Sequence, residues 1–345
     1  MCPIPEFEVQ GSHFEVGQAI GRRFSTEIQE SLRSYPLLDK ILAYHRSPEG
    51  QALYQELLDL NRSRYPGFVA ELEGIAQGAD HPFEELFLTN LRGEYRSYLP
   101  KEGQGCFDCA VLTEEAAILG HNEDGSPAFR DSLYIIHAQI EDKPAFTALS
   151  YPGFLCGNAF GFNAEGICFS CDSVQPRQVR VGIGRHLLAR SLLEAQSLDD
   201  AIRRVTVPGR AAGFSYTIGS ATERRIVHVE VAPQAYHVRE VEGCYVHANH
   251  YRDLDVAQVF GASSRVRIER ATEIVQQAPP RDAEGVLSLL GDQGHEQYPI
   301  YGTGTSFDSS ATLCTGLFDL DARWLRIYTS RPGQDPAEFV QFAMA

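Results

Sequence analysis

The stretch Gly103-Gln104-Gly105-Cys106-Phe107-Asp108-Cys109-Ala110-Val111-Leu112 divides the chain into two textures. Everything before it reads as helical. Ser12-His13-Phe14-Glu15 fits a capping box, and Val16, Ala19, Ile20 and Phe24 follow at helical spacing. A second helical pattern spans Gln51 to Arg64. Pro66 punctuates it, Phe68 to Gly78 resumes it, and another follows His81-Pro82 through Leu91. Pro100 to Gly105 is polar and glycine-rich, as an exposed linker is. After it come short strand-like runs separated by Asp/Asn/Gly turns: Cys106–Thr113, Ala116–Gly120, Leu133–Ile140, Ala145–Tyr151, Ile167–Cys171, Phe214–Ile218, Arg225–Val231, Cys244–His247, Ala311–Phe318 and Trp324–Tyr328. Helical blocks interrupt them at His186–Val205, Ser264–Gln277 and Ala283–Leu290. Many antiparallel strands with helices in blocks predict an α+β fold whose helices cover sheet faces.

Composition narrows the function. The 345 residues are 43% hydrophobic and 22% charged, ordinary for a globular protein with a full core. The net charge of −16 argues against nucleic acid or an anionic membrane as main partner, because both need basic patches. Met1-Cys2-Pro3-Ile4 shows no basic region followed by an apolar run, so a cytoplasmic location is expected. The eight cysteines are then expected as free thiols.

The junction itself carries a chemical suggestion. A thiol that opens a strand just after a flexible glycine loop can attack the carbonyl before it. An N-to-S acyl shift and hydrolysis would cut the chain between Gly105 and Cys106 and leave Cys106 with a free α-amine, which can serve as the thiol's own base. A hairpin would return Gly120-His121-Asn122-Glu123-Asp124 beside Cys106, where Asp124 could hold the ammonium form of that amine. Asn249, in His247-Ala248-Asn249-His250, offers an amide donor for an oxyanion. Each piece also has a plain reading: a buried strand cysteine, an ordinary Asn-Glu-Asp-Gly turn, a loop cap.

Taken in order, these pieces resemble the acyl-coenzyme A:6-aminopenicillanic acid acyltransferase family, peptidase C45-type N-terminal-nucleophile hydrolases. The resemblance rests on Gly11 with Glu15-Val16-Gly17 and Gly21, on Glu73-Gly74-Ile75-Ala76, and on Asn90-x-Arg92-x-Glu94. It continues through Gly105-Cys106, Asp124, Gly161-Phe162-Asn163-x-x-Gly166, the helix His186-x-x-x-Arg190-x-x-x-Glu194, His247-x-Asn249-His250 and Ser264-x-x-Arg267-x-x-Arg270. It implies a four-layer αββα sandwich. It also implies self-cleavage into segments 1–105 and 106–345 that stay associated as one domain, with Cys106, Asp124 and Asn249 catalytic. Its chemistry is hydrolysis or transfer of the acyl group of a small amide through a thioester on Cys106. No metal or cofactor is implied; an acyl-coenzyme A or an amine would be a cosubstrate of the transfer branch, and a homo-oligomer is left open. His121, Asn122, Glu123, Arg190, Tyr301 and Ser309 are candidate substrate-binding residues. Departures at Gly184, Tyr301-Gly302 and Asp308 put the substrate in doubt more than the amide chemistry, and His121-Asn122-Glu123-Asp124 reads more like the family's β-alanyl-amine hydrolases.

Three rival readings stand beside this one. Cys106-x-x-Cys109 and Cys168-x-x-Cys171 have zinc-like spacing, but in a strand residues i and i+3 face opposite sides. Cys2, exposed by loss of Met1, could be the nucleophile, although Pro3 and Pro5 suit a core strand poorly. Finally, the chain could be an uncleaved binding member of the same fold. Arg177, Arg180 and Arg185 read as a charged surface, or as a rim that holds a substrate carboxylate.

Overall fold

The computed structural model describes residues 4–95, 105–333 and 338–344. Cys2 and residues 100–104 of the expected linker lie outside the described residues. Strand β1 (Glu6–Gly11) leads into helices α1 (His13–Arg23), α2 (Ser25–Arg33), α3 (Pro36–His45), α4 (Pro48–Arg64), α5 (Pro66–Ala79), α6 (Phe83–Asn90) and the short α7 (Arg92–Tyr95). The predicted capping box forms at α1: Ser12 Oγ accepts from Glu15 N, and Glu15 Oε2 accepts from Ser12 N at 2.9 Å. Gly17 and Gly21 of α1 lie against the backbone of α5, and Gly74 and Gly78 of α5 against that of α1, so closely that a Cβ at any of the four would collide with it. The glycine spacing of the opening motif therefore sets a helix–helix contact.

Two sheets follow from β2 (Phe107–Leu112), β3 (Ala117–Gly125), β4 (Tyr134–Ile140), β5 (Phe146–Ser150), β6 (Phe160–Asn163), β7 (Ile167–Asp172), β8 (Phe214–Ser220), β9 (Arg225–Val231), β10 (Tyr236–Glu240), β11 (Gly243–His247), β12 (Ala311–Asp319), β13 (Trp324–Tyr328) and β14 (Phe339–Ala343). Their orders are β1-β4-β5-β6-β7-β8-β9-β10 and β11-β2-β3-β12-β13-β14, antiparallel except for the parallel β1–β4 pair. The remaining helices are α8 (Arg185–Leu192), α9 (Leu198–Thr206), α10 (Ala262–Gln277) and α11 (Ala283–Leu290). The expected single helix over 186–205 is thus two, separated at Leu193–Ser197, where Ser197 caps α9.

Three buried layers separate four structural ones. The first lies between the helices α1–α6, α8 and α9 and the eight-stranded sheet, and joins Val16, Leu72 and Leu88 to Ile136, Phe169 and Val229. The second fills the space between the sheets with Leu119, Ile135, Phe160, Phe318 and Leu325. The third packs α10 and α11 on the six-stranded sheet through Ile268, Val286 and Leu290. The result is an αββα sandwich, and residues on both sides of position 105 share its first core. Strand β2 shows why its run is so apolar: Phe107, Cys109 and Val111 face the outer helices, whereas Ala110 faces the other sheet. Among the described residues, no helix is long and apolar enough to cross a membrane.

Candidate active site

Cys106 stands one residue before β2. Pairing of Phe107 with Asn122 and Asp108 with His121 puts it across from Glu123 on β3. Strand alternation then sorts the cluster 121–124 into two groups. His121 and Glu123 point between the sheets with Cys106, and Asn122 and Asp124 point toward α10, α11 and the loops beside them. Cys106 Sγ donates to Glu123 Oε2 at 3.4 Å, and Glu123 Oε1 accepts from Tyr151 Oη at 2.6 Å. His121 spans Glu123 Oε2 at 3.0 Å and Asp108 Oδ1 at 2.6 Å. Burial alone would discharge His121, but the Asp108 carboxylate beside it prevails and holds the imidazole protonated, well above its ordinary range. Burial also pushes the Cys106 thiol far up, and Glu123 adds to this.

Just beyond the Gly105–Cys106 peptide, α10 organises the next carbonyl and its surroundings. Arg267 Nη1 donates to Cys106 O at 3.3 Å and to Asp124 Oδ2 at 3.1 Å, and its Nη2 donates to Asn249 Oδ1 at 2.7 Å. One turn earlier, Ser264 Oγ accepts from Asn249 N at 2.8 Å. Because Arg267 occupies its oxygen, the Asn249 amide turns its NH2 toward Ser173 O, at 3.1 Å, and toward Gly105. A Cβ on Gly105 would sit 2.5 Å from Asn249 Nδ2, so the glycine is needed for this approach. Asp124 also accepts from Thr312 Oγ1 at 2.6 Å. Burial raises its carboxyl to about 7 despite Arg267, which pulls the other way.

A cavity of about 550 Å³ opens onto this peptide, a size that suits a small molecule. Its polar wall includes Cys106, Glu123, Asp124, Ser173 and Ser309, and its apolar wall Tyr35, Phe129, Phe154 and Phe214. Arg92 and Arg185 also line it, each laid over a ring, Phe154 at 4.3 Å and Phe214 at 4.7 Å. The structure thus brings Cys106, Gly105, Asp124, Glu123 and Ser309 to one cavity, with His121 and Asn249 directly behind them.

Three candidates lie elsewhere. Asn122 is fully buried on the opposite face of β3, where it donates to Leu290 O and Ile300 O and accepts from Thr315 Oγ1. Tyr301 does not line the cavity; its backbone N–H bonds Asp292 O. Arg190 is wholly buried between the rings of Phe68 and Phe146 and bound to Glu71 and Glu194, so it is a structural residue rather than a substrate-binding one. Arg177 and Arg180 also stay away from the cavity and bond backbone carbonyls instead. The C-x-x-C pairs do not converge: Cys106 and Cys168 face between the sheets, and Cys109 and Cys171 face the helices. Among the described residues, three clusters bring metal-binding atoms within 4.8 Å: Cys106/His121/Glu123, His228/Glu230/His247 and Asp108/His121/Asp172. The hydrogen bonds above and those of His247 to Asp172 and Glu230 already link members of each cluster. Sequence reading missed Asp108, Tyr151 and Arg267 as site residues. Asp108 had left one trace, a lone charge within an apolar strand.

The chain is 29% identical to the β-alanyl-dopamine/carcinine hydrolase of Drosophila melanogaster, over 96% of this chain and 94% of that one. It is 25% identical to the acyl-coenzyme A:6-aminopenicillanic-acid-acyltransferase 40 kDa form of Emericella nidulans, over 70% and 68%. Solved structures that it matches include a Caenorhabditis elegans N-acylethanolamine-hydrolyzing acid amidase ortholog (9% identity, TM-score 0.44, 70% of this chain and 100% of that one). Another is penicillin V acylase of Agrobacterium tumefaciens (12%, TM-score 0.46, 69% and 86%). The profile of one family matches residues 111–334, a span that starts just past the Gly105–Cys106 bond and takes in Asp124, Asn249 and Arg267. By that match, over well more than half its length, the chain belongs to the acyl-coenzyme A:6-aminopenicillanic acid acyl-transferase family.

Proposed function

We propose that this protein cuts itself between Gly105 and Cys106 and then acts as an N-terminal cysteine amidohydrolase or acyltransferase on a small N-acyl amide. The observation that carries the reading is the close approach of Asn249 Nδ2 to Gly105, with Arg267 tying Asn249 and Asp124 to the Cys106 carbonyl, at the wall of a ligand-sized cavity. In the mature site the α-amine of Cys106 takes the thiol proton, and Sγ attacks the acyl carbon. Asn249 Nδ2 stabilises the oxyanion. The amine returns the proton to the leaving group, and the thioester passes to water or to an acceptor amine. Asp124, held by Arg267 and Thr312, keeps the α-ammonium in place. Hydrolysis is the preferred branch, because the relative that spans nearly the whole chain is named a hydrolase. The aromatic wall suits an aryl or alkyl amide.

The denatured intact mass of the purified chain tests this. Two species, 1–105 and 106–345, are expected; an uncut chain would favour the binding-protein reading. Electrostatics adds a second test. Asp124 acts as a carboxylate; burial raises its carboxyl to about 7 in the uncut chain and the Cys106 ammonium released by the cut lowers it, so kcat/KM should rise with pH through an acid limb below that value. Arg267→Gln removes the cation that lowers this value. The limb should then move to higher pH by about a unit or more, measured per cleaved molecule. A limb that stays in place would remove Asp124 from this role.

A further inference from the structure

In the mature site the base is the α-amine of Cys106. Before the first cut that nitrogen belongs to a peptide bond and cannot accept a proton, so the precursor must use another group. Among the described residues, the ionisable groups that act on Sγ are Glu123, His121 and Asp172, the last bonded to His247 at 2.7 Å. Asp124 lies on the opposite face of β3 and is engaged by Arg267 and Thr312. His121 has both ring nitrogens committed, to Asp108 and Glu123, and Asp108 keeps it protonated. Glu123 Oε2 already accepts the Cys106 thiol at 3.4 Å.

We propose that Glu123 is the general base of the self-cleavage step, oriented by Tyr151 on one oxygen and by the His121–Asp108 pair on the other. The inference rests on the reading in which Cys106 is released by a cut after Gly105. Glu123 Oε2 takes the proton from Sγ, and Sγ bonds to the Gly105 carbonyl carbon. The C–N bond to Cys106 then breaks, and the proton on Glu123 passes to the departing nitrogen. Water cleaves the resulting thioester, which leaves a carboxylate on Gly105 and a thiol and ammonium on Cys106. One water is consumed and nothing is oxidised. Two bases thus serve one thiol in succession, Glu123 once and the amine in every later turnover.

The test follows cleavage of the full chain during cell-free synthesis, by denatured mass at timed intervals, for wild type, Cys106→Ala, Glu123→Gln and Glu123→Ala. Glu123→Gln keeps the shape of the side chain and should cut at least ~100-fold more slowly, the contribution of a positioned base. Sodium formate, a small carboxylate that fits the vacated space, should restore cleavage to Glu123→Ala, which a purely packing role would not allow. If Glu123→Ala does not stay soluble, the Glu123→Gln rate alone decides. A rate within roughly a factor of three of wild type overturns the inference and leaves the parent reading intact. Slow cleavage in a soluble Glu123→Ala chain that formate does not restore also overturns it. A wild-type chain that stays as uncut as Cys106→Ala means instead that the parent reading has failed.

Discussion

Cys106→Ala should yield a single uncut chain of 345 residues with no amide turnover above background. The substitution removes the thiol proposed to attack the Gly105 carbonyl, and with it the α-amine that the cut would have created. Nucleophile and base are therefore lost together, which is why the expected drop is on the order of 10⁶, the scale seen when a serine nucleophile is deleted. The fold should survive, since a buried thiol gives way to a methyl group of similar character. Intact mass and an amide turnover assay read the two effects separately. Turnover that persists would shift the assignment to Cys171, the other thiol lining the cavity, or to Cys2.

The second large effect is expected far from the chemistry. Arg190 on α8 and Glu71 on α5 are both fully buried, with Arg190 Nη2 2.9 Å from Glu71 Oε2 and Nε 3.2 Å from each Glu71 oxygen. His13 on α1 adds a 2.9 Å bond to Glu71 and lies 3.4 Å from Glu194. The arginine thus binds residues from both sides of the proposed cut. Arg190→Leu leaves the buried Glu71 carboxylate with His13 alone, and loss of the cationic partner of a buried pair costs about 3–5 kcal/mol. Urea unfolding of the uncut Cys106→Ala chain, with and without Arg190→Leu, measures it. Replacing both partners, Arg190→Met with Glu71→Met, should recover more than half of the loss, because the expense lies in an unpaired charge rather than in a missing attraction. No change in the urea midpoint would show that water reaches Glu71.

Where neighbours in sequence decide a structure, the sequence was easy to read. The capping box at Ser12, the switch from helices to strands at Gly105, and the opposed faces of each C-x-x-C pair follow from local periods. Edge strands were harder: β1, β10 and β14 are half exposed and carry little apolar signal, and none was anticipated. The site shows the same division. Cys106, Glu123 and Asp124 stand out in a hairpin whose register is local. The placing of Asn122 depends on a count of strand parity from Cys106, which the motif as a block conceals. Arg267 stood in a recognised helical motif, but its target is the Cys106 carbonyl, 161 residues away, and no local pattern encodes that. The family motif around Arg190 suggested a site because a motif records what must be kept, whether it binds a ligand or a neighbouring helix.

Strand β1 lies at the edge of the eight-stranded sheet, hydrogen-bonded to β4 from Glu6–Ile135 to Gly11–Ile140. A cut at Gly105 would change the molecularity of folding without moving this strand. Before the cut, docking of β1 and α1–α6 is a unimolecular event on a tethered chain. Afterwards the same docking is a bimolecular encounter whose rate falls with dilution. The processed protein would then occupy a shape reached by a route that no longer exists for it. Its persistence in a dilute cell would depend on the barrier to unfolding rather than on reversible equilibrium, so the cut would impose hysteresis on the fold as well as creating a nucleophile.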